Sequence, residues 1–336
     1  MAQLFIRLAS VAALGFAGPA FAQWTIEDVG PGIAHAANAR GVVVGEQTSP
    51  QRAFAAFQGE VFVPPLPPGA IGSAAFAMNA RGQAVGWLNF EDHSEAVLFT
   101  GAATTILPRA PHETADGIAQ ANGINDRGVI VGLMQHGQPV RGGVLAYAFR
   151  YVDGATHDLG TFPGGNYSDA TAVNASGVVV GFAGHATRNA YVGMTAFEMA
   201  GDDMVDLGKP EGTLYSIATA LNASGQVVGY AQTAAGDYRA FVFADGAMTV
   251  LGDLPGATST VATGISDAGD IVGYSGPDGF LYRDGAFVDL VTLPETQAAG
   301  WTQLYPQAIG PQGVIAGYGV RAGELRAFRM FEAGRR

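Results

Sequence analysis

The sequence predicts an all-β protein: a seven-bladed β-propeller of four-stranded antiparallel blades, with the last blade closed by the N-terminal strand. Three observations carry this expectation. A short strand-turn-strand stretch recurs seven times, each interval holds four short strand patterns, and the last repeat is one strand short.

The recurring stretch is clearest at 173–182, VNASGVVVGF. Its turn glycines are Gly41, Gly82, Gly128, Gly177, Gly225, Gly269 and Gly313, at successive spacings of 41, 46, 49, 48, 44 and 44 residues. A second glycine follows four residues later in every copy, from Gly45 to Gly317, with Val, Ile or Ala mostly between them, as suits a buried strand. Three residues before the turn stands Asn38, Asn79, Asn125, Asn174 or Asn222, replaced by Ser266 and Gly310 in the last two copies. Asn and Ser bond their own backbone in turns and Gly supplies positive φ, so N-x-x-G is a turn with a mechanism.

Read in order, the fifth repeat has a first strand at 216–221, a turn at 222–225 and a second strand at 226–231. A third strand follows at 239–244, then the hairpin Asp245-Gly246 and a fourth strand from Ala247. The first strand belongs beside the axis, because the positions five and seven before the turn glycine are Ala or Gly in all copies but one, where Pro306 stands. Third strands carry Ala-Phe at 53–54, 148–149, 196–197, 240–241 and 327–328, and these phenylalanines are expected to pack between blades. Trp87, Phe182, Tyr230, Tyr274 and Tyr318, each just after a second glycine, are read the same way, with an aromatic binding track as the alternative. The last repeat ends after its third strand near Phe331, and 24–29, WTIEDV, resembles the missing fourth. Pairing the two ends removes exposed strand edges.

Residues 1–22 have the form of a signal peptide: Arg7, an apolar run at 8–16, and Ala20-Phe21-Ala22 as the cleavage site. Residues 23–336 are then one propeller domain, secreted or periplasmic; an uncleaved anchor is the alternative. The leader's run is too short to span a bilayer and no other stretch approaches that length, so no membrane span is expected. Removing Arg7 with the leader takes the net charge from −12 to −13, and Lys209 is the sole lysine, a surface that repels nucleic acid. Cysteine is absent, so burial and ring closure must hold the fold, which is expected to be monomeric.

The combination of I/V-N-x-x-G-x-V-V-G, then Ala-Phe, then D-L-G-T-F-P-G-G at 158–165 resembles the HAF repeat, a probable extracellular repeat of bacterial proteins. The resemblance covers nearly all of 23–336. The histidine that names the family is replaced by Arg52, Tyr147, Thr195, Arg239 or Arg326, which removes it as a shared functional group. The resemblance implies an exported or surface-associated protein and brings no catalytic residues with it.

Function is expected where the repeats differ. In a propeller the loops from second to third strand and the crossings between blades share one face. The second-to-third loops are longest in the third and fourth repeats and carry His136, Arg141, His185 and Arg188; the crossings add His112, Asp116, Asn166, Tyr167, Asp169, Tyr215, Trp301 and Tyr305. These twelve residues are the candidate binding patch, since aromatic and Arg side chains dominate binding hot spots. The three histidines His112, His136 and His185 come from separate loops without a ligand spacing such as H-x-x-x-H, so no metal or cofactor is expected. No G-x-S-x-G elbow, Walker loop or EF-hand occurs. The leading expectation is a non-enzymatic protein binding a glycan, peptide or protein. The alternative is a hydrolase or lyase using carboxylates and histidines at the channel mouth, which a cluster of Asp116, Asp169, His136 and His185 would favour; a purely structural repeat is the third reading.

Overall fold

The computed structural model describes residues 23–111, 117–135, 145–186, 191–310 and 312–334. The expected leader at 1–22 and its expected cleavage site lie outside them. Among the described residues, 28 strands and one short helix, Pro294–Ala298, make up the regular structure, and no helix is long and apolar enough to cross a membrane. The strands form six sheets: five of four strands and one of eight. Four of the four-stranded sheets are antiparallel meanders of consecutive strands, and the fifth adds the N-terminal strand to three consecutive ones, also antiparallel. In the eight-stranded sheet the meanders of the third and fourth repeats are bridged by a single parallel pair, Ala146 with Tyr167. The fifth repeat has its four expected strands, Thr213–Leu221, Val227–Thr233, Tyr238–Ala244 and Ala247–Val250, with the first beginning three residues earlier and the second ending two residues later than expected.

The two ends of the chain meet in one sheet. Strand Trp24–Pro31 pairs with Glu324–Glu332, in a register that runs from Trp24 opposite Glu332 to Pro31 opposite Arg326. Charge reinforces this register: Asp28 is 2.7 Å from Arg321 and 3.1 Å from Arg326, and Glu27 is 2.6 Å from Arg329. The last sheet then packs on the first, because Ala316 and Ala327 share a core cluster with Ala34, Val43 and Phe54.

Every inner strand carries a β-bulge six residues before its turn glycine, as between Ala170 and Ala172 opposite Val180 and Gly181. The same shift recurs at His35, Phe76, Asn122, Thr219, Thr263 and Gln307. A bulge puts two residues against one and sharpens the strand's twist. It also explains the second glycine. A Cβ on Gly181 would overlap the carbonyl oxygen of Asp169, and one on Gly45, Gly86, Gly132, Gly229 or Gly273 would meet the equivalent carbonyl. The turn glycines serve a different need, sitting at φ between +75° and +95°.

The third-strand phenylalanines are buried as expected, and each reaches the preceding repeat: Phe149 packs with Val85 and Ala96, Phe197 with Val131, and Phe241 with Val180. Polar latches accompany them. Buried Ser73, Ser168 and Ser216 each accept the backbone N–H of the Ala beside such a phenylalanine, at 2.9, 2.8 and 2.9 Å.

Candidate functional site

The N-x-x-G turns lie at one end of the inner strands, so the starts of those strands, the crossings and the second-to-third loops share the opposite face. On that face, between the second and third repeats, lies a cleft of about 400 Å³. Its walls come from two crossings and one strand. Ile71 and Ile118 precede the inner strands Gly72–Met78 and Ala119–Ile124 and are 61% and 54% exposed. Half-buried Trp87 projects from strand Gln83–Asn89, with Asn89 at the strand's end.

The turn that follows is tied by the Phe90 N–H donating to the His93 carbonyl at 2.9 Å. The rings of Phe90 and His93 stack at 4.5 Å, only 3° from parallel. The imidazole is held between carboxylates: Nδ1 lies 2.7 Å from Asp92 and Nε2 3.6 Å from Glu95. Arg109 pairs with Glu95 at 3.2 Å and donates to the carbonyls of Ser94 and Gly117 at 2.9 Å, pinning the crossing beside Ile118. The hydrogen bond from His93 holds the Asp92 carboxyl below the usual carboxylate range.

Gln120, on the cleft's lining, starts a chain of hydrogen bonds into the interior. Its Nε2 donates to Asn122 Oδ1 at 2.6 Å, and Asn122 Nδ2 donates to Asp169 Oδ1 at 2.7 Å and to the Ala170 carbonyl at 3.0 Å. Asp169 is buried, and the loss of water raises its carboxyl to about 7, against which the Asn122 bond is a smaller, opposing effect. Among the described residues the Asn122 amide is the one side chain that hydrogen-bonds it. A carboxyl at about 7 exchanges its proton near neutral pH, so the cleft connects by two amides to a titrating group.

Of the twelve sequence-predicted residues, His112, Asp116, His136, Arg141 and Arg188 lie outside the described residues. Asp169 and Tyr167 share the inner strand Tyr167–Val173, where Tyr167 stacks on Phe182 at 5.9 Å. Asn166, just before that strand, is buried and donates its backbone N–H to the Gly184 carbonyl at 2.9 Å. His185 is exposed on strand Val179–Ala186, and Tyr215 packs with Phe182, Met194 and Ile217. Tyr305 belongs to the last repeat, stacked on Tyr318 at 5.0 Å and edge-on to Tyr274 at 5.5 Å.

Trp301 is a correction. It is 3% exposed, in the core against Phe328 at 5.7 Å, because the chain regains strand pairing at Trp301 itself, opposite Arg321, after the helix Pro294–Ala298 has made the crossing. Of the four residues whose clustering would favour an enzyme, Asp116 and His136 are outside the described residues. The other two part, Asp169 inward and His185 to solvent. Among the described residues no three His, Asp or Glu side chains gather to hold a metal ion.

Sequence reasoning passed over Ile71, Phe90, His93, Ile118, Gln120 and Asn122, and read Trp87 as packing. The bulge position holds Thr in the fourth to sixth repeats and His35, Phe76, Asn122 or Gln307 elsewhere, so nothing in the sequence singles out Asn122.

No protein-family model matches the chain, and no curated protein does either. Solved structures do. The β-propeller domain of the Trilobed protease from Pyrococcus furiosus is 8% identical, with a TM-score of 0.52, covering 94% of this chain and 95% of that one. YCF48 bound to D1 peptide is 12% identical, with a TM-score of 0.51, covering 92% and 96%. TolB from Acinetobacter baumannii is 10% identical at a TM-score of 0.45, and the match covers 91% of this chain but 65% of TolB. At such identities the likeness is one of fold, and with the antiparallel sheets described above it makes the chain an all-β protein of the β-propeller class.

Proposed function

We propose that the protein is an exported binding module: a closed ring of seven four-stranded blades, built from HAF-type repeats, that recognises a peptide or glycan through the face bearing the crossings and the second-to-third loops. The observation that supports this reading is the cleft, where Trp87 and the exposed side chains of Ile71 and Ile118 stand beside the amides of Asn89 and Gln120. Concave sites that pair apolar walls with a few placed polar groups are where ligands bind. Ring closure is supported by the seam, where Phe54 packs with Ala316 and Ala327.

The test is a screen of the purified protein on peptide and glycan arrays, followed by Trp87→Ala. The expected result is a stable complex that Trp87→Ala weakens about 10-fold or more, as for a hot-spot aromatic. Hits untouched by that substitution overturn the site. Export is tested by the N-terminus of protein recovered outside the cytoplasm, expected at Gln23.

One observation favours a second reading. Asp169 at about 7 has the proton affinity of a general acid, as a hydrolase or lyase would use. Turnover that Asp169→Asn abolishes, with no stable complex formed, would replace binding by catalysis.

A further inference from the structure

The lining of the cleft is chemically one-sided. Glu91 and Asp92 are both exposed on its rim, and among the described residues no Lys or Arg lines it. Arg109, which pins the crossing beside Ile118, is engaged by Glu95 and by two carbonyls. The imidazole of His93 is occupied from both sides by Asp92 and Glu95. Trp87 supplies an aromatic surface in the same cleft as this acidic rim and the aliphatic pair Ile71 and Ile118. An indole face beside carboxylates is the combination that binds a cationic side chain, by the ring quadrupole and by charge together. The whole chain adds long-range attraction of the same sign, with a net charge of −12 and a single lysine.

We infer that the cleft reads basic side chains: it seats a Lys or Arg of a peptide over Trp87, between Glu91 and Asp92, with a neighbouring aliphatic residue of that peptide against Ile71 and Ile118. This rests on the cleft being the binding site and names what it selects. Charge complementarity commits the occupant to a basic, apolar peptide. A neutral oligosaccharide would use Trp87 and the amides but leave both the carboxylates and the isoleucines without a role.

The experiment uses the purified protein and its own fluorescence. Of its three tryptophans, Trp24 and Trp301 are 7% and 3% exposed in the core, so a ligand-dependent change reports Trp87. The probes are acetylated, amidated pentapeptides of sequence Gly-Leu-Lys-Ile-Gly and Gly-Leu-Arg-Ile-Gly, compared with the same peptides carrying norleucine or Glu at the centre. The Lys and Arg peptides are expected to bind at least about 10-fold more tightly than the norleucine peptide, with the preference shrinking as salt shortens the screening length. The double substitution Glu91→Gln with Asp92→Asn is expected to remove that preference while the melting temperature holds.

If the norleucine or Glu peptide binds as well as the Lys peptide, or if neutralising both carboxylates leaves the preference intact, the inference fails. Trp87-dependent binding of a neutral oligosaccharide that ignores both carboxylates also overturns it, yet leaves the cleft standing as the binding site. No Trp87-dependent binding by any array ligand overturns both.

Discussion

The side-chain amide of Asn125 donates a 2.9 Å hydrogen bond to the backbone carbonyl of Asn174, the residue at the same place in the next repeat. The relation recurs from Asn79 to Asn125 at 3.2 Å, from Asn174 to Asn222 at 3.1 Å and from Asn222 to Ser266 at 3.2 Å. The other end of each amide serves its own turn: Asn125 Oδ1 accepts the N–H groups of Arg127 and Val129 at 3.0 Å. One side chain thus caps a turn and joins two repeats. Asn125→Ala removes all three bonds and is expected to cost ~2–3 kcal/mol at about 1 kcal/mol each. Asn125→Ser should cost less, because Ser266, its natural counterpart, still caps its turn by accepting the Asp270 N–H at 3.1 Å. Urea unfolding of both variants measures the difference, and an unchanged midpoint for Asn125→Ala would remove the belt from the account.

The two glycines of a repeat should respond unequally to alanine. Gly177 sits at φ +95° with open space where a Cβ would go, so Gly177→Ala is expected to cost ~1–2 kcal/mol of backbone strain. Gly181→Ala drives a methyl into the Asp169 carbonyl opposite the bulge and should cost clearly more. Thermal melting of the pair checks the order. Equal costs would mean that both glycines are there for φ.

Asp169 makes stability depend on pH with a definite sign. Its folded value of about 7 lies above the 3.8 of an ordinary aspartate, so its contribution is fully present below about pH 4, falls as pH rises toward 7, and is flat above. Asp169→Asn keeps the shape and removes the titration. The variant is expected to lose less stability than the parent between about pH 4 and pH 7, where one titrating proton changes stability by up to ~1.4 kcal/mol for each step of one in pH. Chemical unfolding across that range measures it, and parallel curves for the two proteins would place the titration elsewhere.

The N-terminal strand should behave as part of the last sheet. Trp24 is 7% exposed in the core with Trp301 and Phe328, so Trp24→Ala is expected to cost ~3–5 kcal/mol. Deleting 23–31 also takes Asp28 from Arg321 and Arg326, and Glu27 from Arg329. A shortened protein with unchanged thermal stability would show that the pairing with Glu324–Glu332 is dispensable.

Trp301→Ala is expected to cost a similar ~3–5 kcal/mol while leaving the affinity of the folded protein unchanged, the reverse of Trp87→Ala. Measuring melting and binding on both variants separates core from site.

The repeat was legible because each of its positions answers to local chemistry or to a need shared by every copy. Asn and Gly make a turn wherever they stand at that spacing, alternating apolar residues make a strand, and a last repeat lacking one strand calls for WTIEDV at the other end. The sequence by itself therefore determined the all-β class, the strand order within each repeat, the burial of the Ala-Phe phenylalanines and the joining of the two chain ends. Tertiary structure alone decided the rest. Sequence context pointed Trp87 to packing and Trp301 to the binding face, and tertiary packing does the reverse, putting Trp301 in the core and Trp87 on a cleft. Asp169 was legible as a polar residue near a crossing, but its raised pKa needs the loss of water that neighbouring repeats impose. Gln120, Asn122 and Asp169 meet across 47 residues of chain between the last two, and such contacts depend on how sheets are placed in space, which no single repeat encodes.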